Sequence, residues 1–295
     1  MVTQLQATVV YATLVSASYV ICLYFRAPSG SRNSDVVIRS RLIRVTAITL
    51  SNMLILPYVM VNVLHTAKSY SDVVRYMGLI PTHNTFMDIV KVLGLFITLF
   101  AGPVVETFSW GLDSFVEGVL NYPLLQITRD FISAPITEEL VYTSVTMALF
   151  TPFLPLVDGY QGLDSSGVDI MKLVTWTPLL FGFAHLHHAY GSLKSGKYPA
   201  VFVMLNTLIQ LTYTTMFGLL TNLIFLGTGS IWCCVIIHCW CNLNGLPKLS
   251  VDGSGEFKLL YYALLLVGVI FFKNGFWSTV IGHDSIINWA ALSQK

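Results

Sequence analysis

The chain has 295 residues, 55% of them hydrophobic and only 11% charged, with a formal net charge of +1 and a mean hydropathy of +0.70. About a quarter of the residues of an ordinary soluble domain are charged, so this chain lacks the polar residues to cover a water-soluble fold of its size. The balance gives no reason to expect a nucleic-acid partner and points to a polytopic protein set in a lipid bilayer.

A spanning helix needs about 20 mostly apolar residues. The first run, residues 5–25, carries no charge and has no basic stretch ahead of it, so it reads as a retained span and not a cleaved signal peptide. The loop RAPSGSRNSD follows, and then a second run, 42–63, with Arg44 near its start and Pro57 inside it. The polar stretch 68–83 reads as interfacial. The third run, 90–105, closes at AGP, and ETFSWGLDSFVEGVL beyond it mixes Phe108, Trp110 and Phe115 with acids, as a surface-lying connection does. The fourth run is 131–156, the fifth 173–185, the sixth 200–226, the seventh 231–243 and the eighth 259–272. The expected fold is all-α, about eight transmembrane helices in a single integral-membrane domain over 1–295, with no internal repeat. Between the first two runs, Arg26, Arg32, Arg39, Arg41 and Arg44 stand against Asp35. By the positive-inside bias this loop faces the cytosol and the N-terminus lies across the membrane.

Three segments place polar groups inside apolar runs, where an acid at the helix centre costs roughly 2.5–3.5 kcal/mol and an ionisable residue is a functional hypothesis by default. In SAPITEELVYTS, Glu138 and Glu139 point about 100° apart on a helix. One reading makes them first-turn acids beside Pro135, with Ser133 or Thr137 as cap. The other turns one of them into a cavity. FGFAHLHHAY puts Phe181 and His185 four apart and His185 and His188 three apart, each pair on one face. These histidines fit an interfacial cluster, a catalytic role or, without any H-E-x-x-H, a weak zinc site. IIHCWCN puts His238 and Asn242 on one face, suited to interhelical hydrogen bonding or to chemistry. Cys241 is a weak nucleophile candidate, since Cys233, Cys234 and Cys239 crowd the same helix as free thiols do. Taken together, a Glu and a His can deprotonate a water, and a second His with an Asn can donate to an oxyanion, which suffices to hydrolyse an amide.

These segments resemble the three motifs of the type II CaaX prenyl endopeptidase branch of the CPBP, or ABI, intramembrane protease family, in its eukaryotic endoplasmic reticulum form. EExxxR is met at Glu138 and Glu139 but has Thr143 in place of the arginine. FxxxH is met by Phe181 and His185, and HxxxN by His238 and Asn242. All three fall within a catalytic core at 131–245. The resemblance implies a membrane-embedded cavity open to cytosol and lipid. It implies a glutamate-dependent endopeptidase, with no cofactor or metal, that removes the -aaX tripeptide from farnesylated or geranylgeranylated CaaX proteins such as Ras-like GTPases and pheromone-like lipidated peptides. Glu138 and His185 would activate water, His238 and Asn242 would form the oxyanion hole, and Glu139, Thr143 and Phe181 would support them. The competing expectations are a zinc protease using the histidines and a non-enzymatic membrane transporter or scaffold.

Overall fold

The computed structural model describes residues 3–109, 111, 116–118, 121–163 and 169–289. Trp110 and Phe115 of the expected surface-lying connection fall outside them. Among the described residues there is no strand, only one isolated bridge between Leu156 and Ile287. Helix α1 (Gln4–Tyr24) opens on a capping box in which Thr3 accepts from the Gln6 amide and Gln6 reaches back to the Thr3 amide. It packs on α2 (Asp35–Tyr58), which follows Pro57 with a π-helical turn, Val59–Val63. The short α3 (Tyr70–Tyr76) starts on a second capping box, Ser69 with Asp72. Helices α4 (Thr85–Leu99) and α5 (Ala101–Ser109) meet at 73°. Helix α6 covers residues 124–150 and alternates α-helical with π-helical turns, the latter at Thr128–Ser133 and Glu139–Val145. Then come α7 (Ile170–Ala184), α8 (Leu186–Ser195), α9 (Ala200–Thr228), α10 (Ile231–Asn244) and α11 (Gly255–Val280).

Among the described residues, four helices are long and apolar enough to cross a membrane: α1, α2 with its π turn, α9 and α11. A fifth joins them if the bent pair α4–α5 is one span. The chain is an all-α polytopic membrane protein, with fewer long spans among the described residues than the eight apolar runs suggest. The difference lies in who touches lipid. The long helices present Leu14, Leu54, Leu208 and Leu266 outward, and α10 is an apolar helix of only 14 residues. Helix α6 is the opposite case, with every residue from 139 to its end at 150 buried. A helix enclosed by neighbours can tolerate broken hydrogen-bond periodicity that a lipid-facing helix cannot. Nor does α6 start at SAPITEE: Ser133 is helical (φ −72°, ψ −44°) with no capping bond, and the helix begins at Leu124, so the acids are not first-turn residues.

Helix α7, which carries Phe181 and His185, is seated on α9 by small residues. A Cβ on Gly182 would collide with Thr215 Oγ1, and one on Gly218 would lie 3.1 Å from Pro178 Cβ. Such close approach is how helices associate without a hydrophobic driving force. Asn222 adds a polar pin, its Nδ2 donating to Thr177 Oγ1 at 2.8 Å.

The two ends of the bundle differ. At one, the Tyr24 hydroxyl donates to the His187 carbonyl (3.3 Å) and Arg129 Nη1 to the Arg32 carbonyl (3.1 Å), drawing the arginine-rich loop over α6 and α8. Helix α1, about 32 Å long at 1.5 Å per residue, leads to the other end, where Gln4 Nε2 donates to the Leu64 carbonyl. There the segment after α11 is laced down: Ile286 N donates to the Leu226 carbonyl (2.9 Å) and Asn288 N to the Pro155 carbonyl (2.8 Å). The Arg75 guanidinium lies 4.1 Å over the Tyr160 ring on the same side.

Candidate active site

Because Glu138 and Glu139 are neighbours on a helix, their side chains diverge, and the imidazole of His238 from α10 occupies the angle between them. His238 Nδ1 lies 2.7 Å from Glu139 Oε1 and its Nε2 3.8 Å from Glu138 Oε2. A carboxylate oxygen can only accept, so Nδ1 carries the proton and Nε2 is the nitrogen turned toward Glu138. Thr143, one turn on from Glu139, donates its hydroxyl to Glu139 Oε2 at 2.7 Å and stands 3.3 Å from the Thr221 hydroxyl of α9. Both oxygens of Glu139 are therefore engaged. That is what stands where the motif has an arginine: a hydroxyl and an imidazole in place of a guanidinium.

The two acids differ in access. Glu139 is 2% exposed, whereas the side chain of Glu138 retains 20%. Glu138 lines a cavity of about 100 Å³, room for several waters, walled also by Tyr19, Tyr142, Phe181 and His185. His185 directs Nδ1 at the Phe181 carbonyl, 2.9 Å away, so the proton sits on Nδ1 and Nε2 is left as the basic nitrogen. Phe181 is the packing centre, its ring 4.8 Å from His185, 5.2 Å from Tyr142 and 6.1 Å from His238, centroid to centroid. Behind it, Phe217 stacks edge-on against His238 at 4.8 Å.

The fold thus joins Glu139, His238 and Thr143 by hydrogen bonds, sets Glu138 3.8 Å from His238, and brings Glu138 and His185 to one cavity. Asn242 is in neither. It is exposed, and its Nδ2 donates to the Asp130 carbonyl at 2.9 Å, tying α10 to the preceding turn of α6. His187 and His188 line the cavity next to His185, with His187 Nδ1 bonded to the Ala184 carbonyl at 2.6 Å. Among the described residues no three His, Cys, Asp or Glu side chains are grouped to hold a metal ion, and the five cysteines are free thiols.

Several residues of the site carried no signal of their own in the sequence. Tyr19 lies in the uncharged first run, yet its hydroxyl bonds Thr137 Oγ1 at 2.8 Å. Tyr142 donates back to the Ser16 carbonyl at 3.2 Å, and the two tyrosine rings meet edge-on at 5.5 Å where they line the cavity. Arg32 and Arg41 are legible as topology markers, but not as residues of the cavity.

Residues 120–244 match the family model described as type II CAAX prenyl endopeptidase Rce1-like. CAAX prenyl protease 2 of Saccharomyces cerevisiae is 33% identical, with the alignment covering 88% of this chain and 91% of that protein. The probable CAAX prenyl protease 2 of Schizosaccharomyces pombe is 29% identical, with 87% and 88% covered. CAAX prenyl protease 2 of Homo sapiens is 31% identical over 41% of this chain and 32% of its own. No solved structure matches significantly. The family match falls on the part of the chain that carries both glutamates, His185, His238 and Asn242, and the yeast relative extends it to nearly the whole length: the chain belongs to the Rce1-like family of type II CAAX prenyl endopeptidases, membrane proteases of the hydrolase class.

Proposed function

We propose that the chain cuts prenylated CaaX proteins after the lipidated cysteine, releasing the -aaX tripeptide, by glutamate-activated attack of water. The observation that carries the reading is the asymmetry of the glutamate pair. Glu138 has access to a cavity with room for water, while Glu139 is buried with a hydrogen bond to each carboxylate oxygen. Glu138 takes the proton of a water whose oxygen attacks the scissile carbonyl carbon, and His185 Nε2 orients that water from the facing helix. The tetrahedral oxyanion is met by a donor from His238, doubly protonated against the Glu139 carboxylate, at the nitrogen facing Glu138. Asn242 joins as second donor once its amide leaves the Asp130 carbonyl. When the C–N bond breaks, Glu138 returns its proton to the departing amine.

Apolar lining residues of the cavity, Val20, Leu23, Leu42 and Val45, suit a substrate with an isoprenoid tail. Each buried methylene contributes about 0.8 kcal/mol, which favours a site at membrane depth. The substrates are farnesylated or geranylgeranylated proteins, Ras-like GTPases among them. The location is the endoplasmic reticulum membrane with the cavity reached from the cytosol, supported by the basic loop at the cavity end.

The test is cleavage of a farnesylated CaaX peptide by purified full-length protein, with and without a strong chelator. Activity survives the chelator and falls at least a thousandfold in Glu138→Gln, while detergent-extracted Glu138→Gln keeps the elution and melting behaviour of the parent. Normal cleavage by Glu138→Gln would falsify the assignment of the base. Loss of activity on chelation transfers the chemistry to a metal.

A further inference from the structure

Three arginines reach the cavity that holds Glu138: Arg32 from the loop between α1 and α2, Arg41 from the second turn of α2, and Arg129 from α6. They are not equivalent. Arg129 is committed, with Nε 2.6 Å from Asp130 Oδ1 and Nη2 2.8 Å from Asp130 Oδ2 in a two-pronged pair. Its remaining Nη1 bonds the Arg32 carbonyl and Asn33 Oδ1, at 3.1 and 3.0 Å. Arg129 therefore neutralises Asp130 and holds the loop in place. Arg32 and Arg41 have no carboxylate within ion-pair distance among the described residues. With Asp130 matched, the only other acid lining the cavity is Glu138, which must remain a base. One positive charge is thus left without a counter-charge.

The positive-inside bias accounts for arginines at this end of the bundle, but it is satisfied equally by Arg26 and Arg39, which do not line the cavity. It does not account for two guanidiniums turned into the same cavity as the candidate base. A guanidinium presents paired N–H donors that match a carboxylate.

We propose that Arg32 and Arg41 bind the free α-carboxylate of the substrate's last residue and so set how many residues lie beyond the cut. This rests on the endopeptidase reading above. A tripeptide in extended form spans about 10 Å, so a carboxylate anchored at the loop and a scissile bond at Glu138 define a short ruler. Substrates whose carboxyl end is blocked or extended lack the anchor.

The experiment compares two farnesylated peptides of identical sequence, one ending in a free carboxylate and one in a carboxamide, with full-length protein in nanodiscs. Wild-type protein cleaves the acid about tenfold or more better in kcat/KM, the range of a charge-assisted hydrogen bond, with the difference in KM. The Arg32→Gln/Arg41→Gln double variant cleaves acid and amide at equal rates, and lysine at both positions restores part of the preference, as a point charge without the fork does. Equal cleavage of both peptides by wild type, or an unchanged preference in the double variant, overturns the proposal. Binding of both peptides to Glu138→Gln is measured in parallel. If wild type cuts neither peptide, the protease reading fails, and the acid-to-amide Kd ratio still decides whether the arginines hold a carboxylate.

Discussion

At the scale of single residues, the site turns on how a second buried acid is kept in place without a neighbouring cation from its own motif. Glu139 sits at 2% exposure with Thr143 on one oxygen and His238 on the other. Removing the hydroxyl leaves a buried carboxylate oxygen unpaired, and hydrogen bonds to charged groups are worth about 1.5–3 kcal/mol. Thr143→Val is expected to lower kcat/KM about tenfold or more and to reduce the melting temperature, because His238 loses the fixed partner that orients it. Thr143→Ser, which keeps the hydroxyl, should retain most of both. Cleavage kinetics and thermal melting of the two variants side by side check this, and a Val variant with parental kinetics would mean that Glu139 does not position His238. Thr143→Arg is a separate case, since the guanidinium would have to fit where every residue from 139 to 154 is already packed.

At the scale of elements, the site is assembled by the seating of α7 on α9. Gly182 is one residue after Phe181 and three before His185, and its missing Cβ is what lets the helices touch. Gly182→Val is expected to cost about 1–3 kcal/mol through overpacking and to lower kcat by moving His185 away from the cavity. Gly191→Ala on α8, where an added Cβ meets nothing within 4 Å, should leave the melting temperature within a degree or two or raise it slightly. Hydropathy shows where apolar helices run, and three runs carry isolated Glu, His and Asn residues that stand out against their surroundings. What it cannot show is helix shape. Nothing in FISAPITEELVYTSV distinguishes a π turn from an α turn, because the difference lies in which carbonyl the amides find. The bend between α4 and α5 is only half signalled: Pro103 marks irregularity, but the turn falls at Phe100. The partners of Asn242 and Arg32 were illegible for a related reason. Both depend on Asp130 and Arg129, which lie just outside the fourth apolar run and carry no signal of their own in the sequence.

At the scale of the whole molecule, the bundle has one end that gathers arginines around a cavity and one end closed by the laced segment 281–289. With the cavity end in the cytosol, Ser31→Cys is expected to react with a membrane-impermeant maleimide in sealed, cytosol-side-out microsomes, above the background of the native thiols. Asp158→Cys, at the opposite end, should react only after permeabilisation. The reverse pattern would place the cavity in the lumen and disconnect it from cytosolic substrates.

The π turns of α6 also bear on how such a protein can change by descent. A ring closed from i to i+5 encloses one residue more than the i to i+4 ring of an α-helix, so the turn at Glu139–Val145 holds a residue that a plain helix would not need. Loss of one codon between Glu139 and Thr143 leaves a chain that can close as regular helix, still apolar and still buried and with the helix beyond it in register, while those two residues fall from four apart to three. The fold has a way to absorb that deletion; the contact between Glu139 and Thr143 has none. The distance from a protease to an inert membrane scaffold of the same shape is, at this point in the chain, three nucleotides.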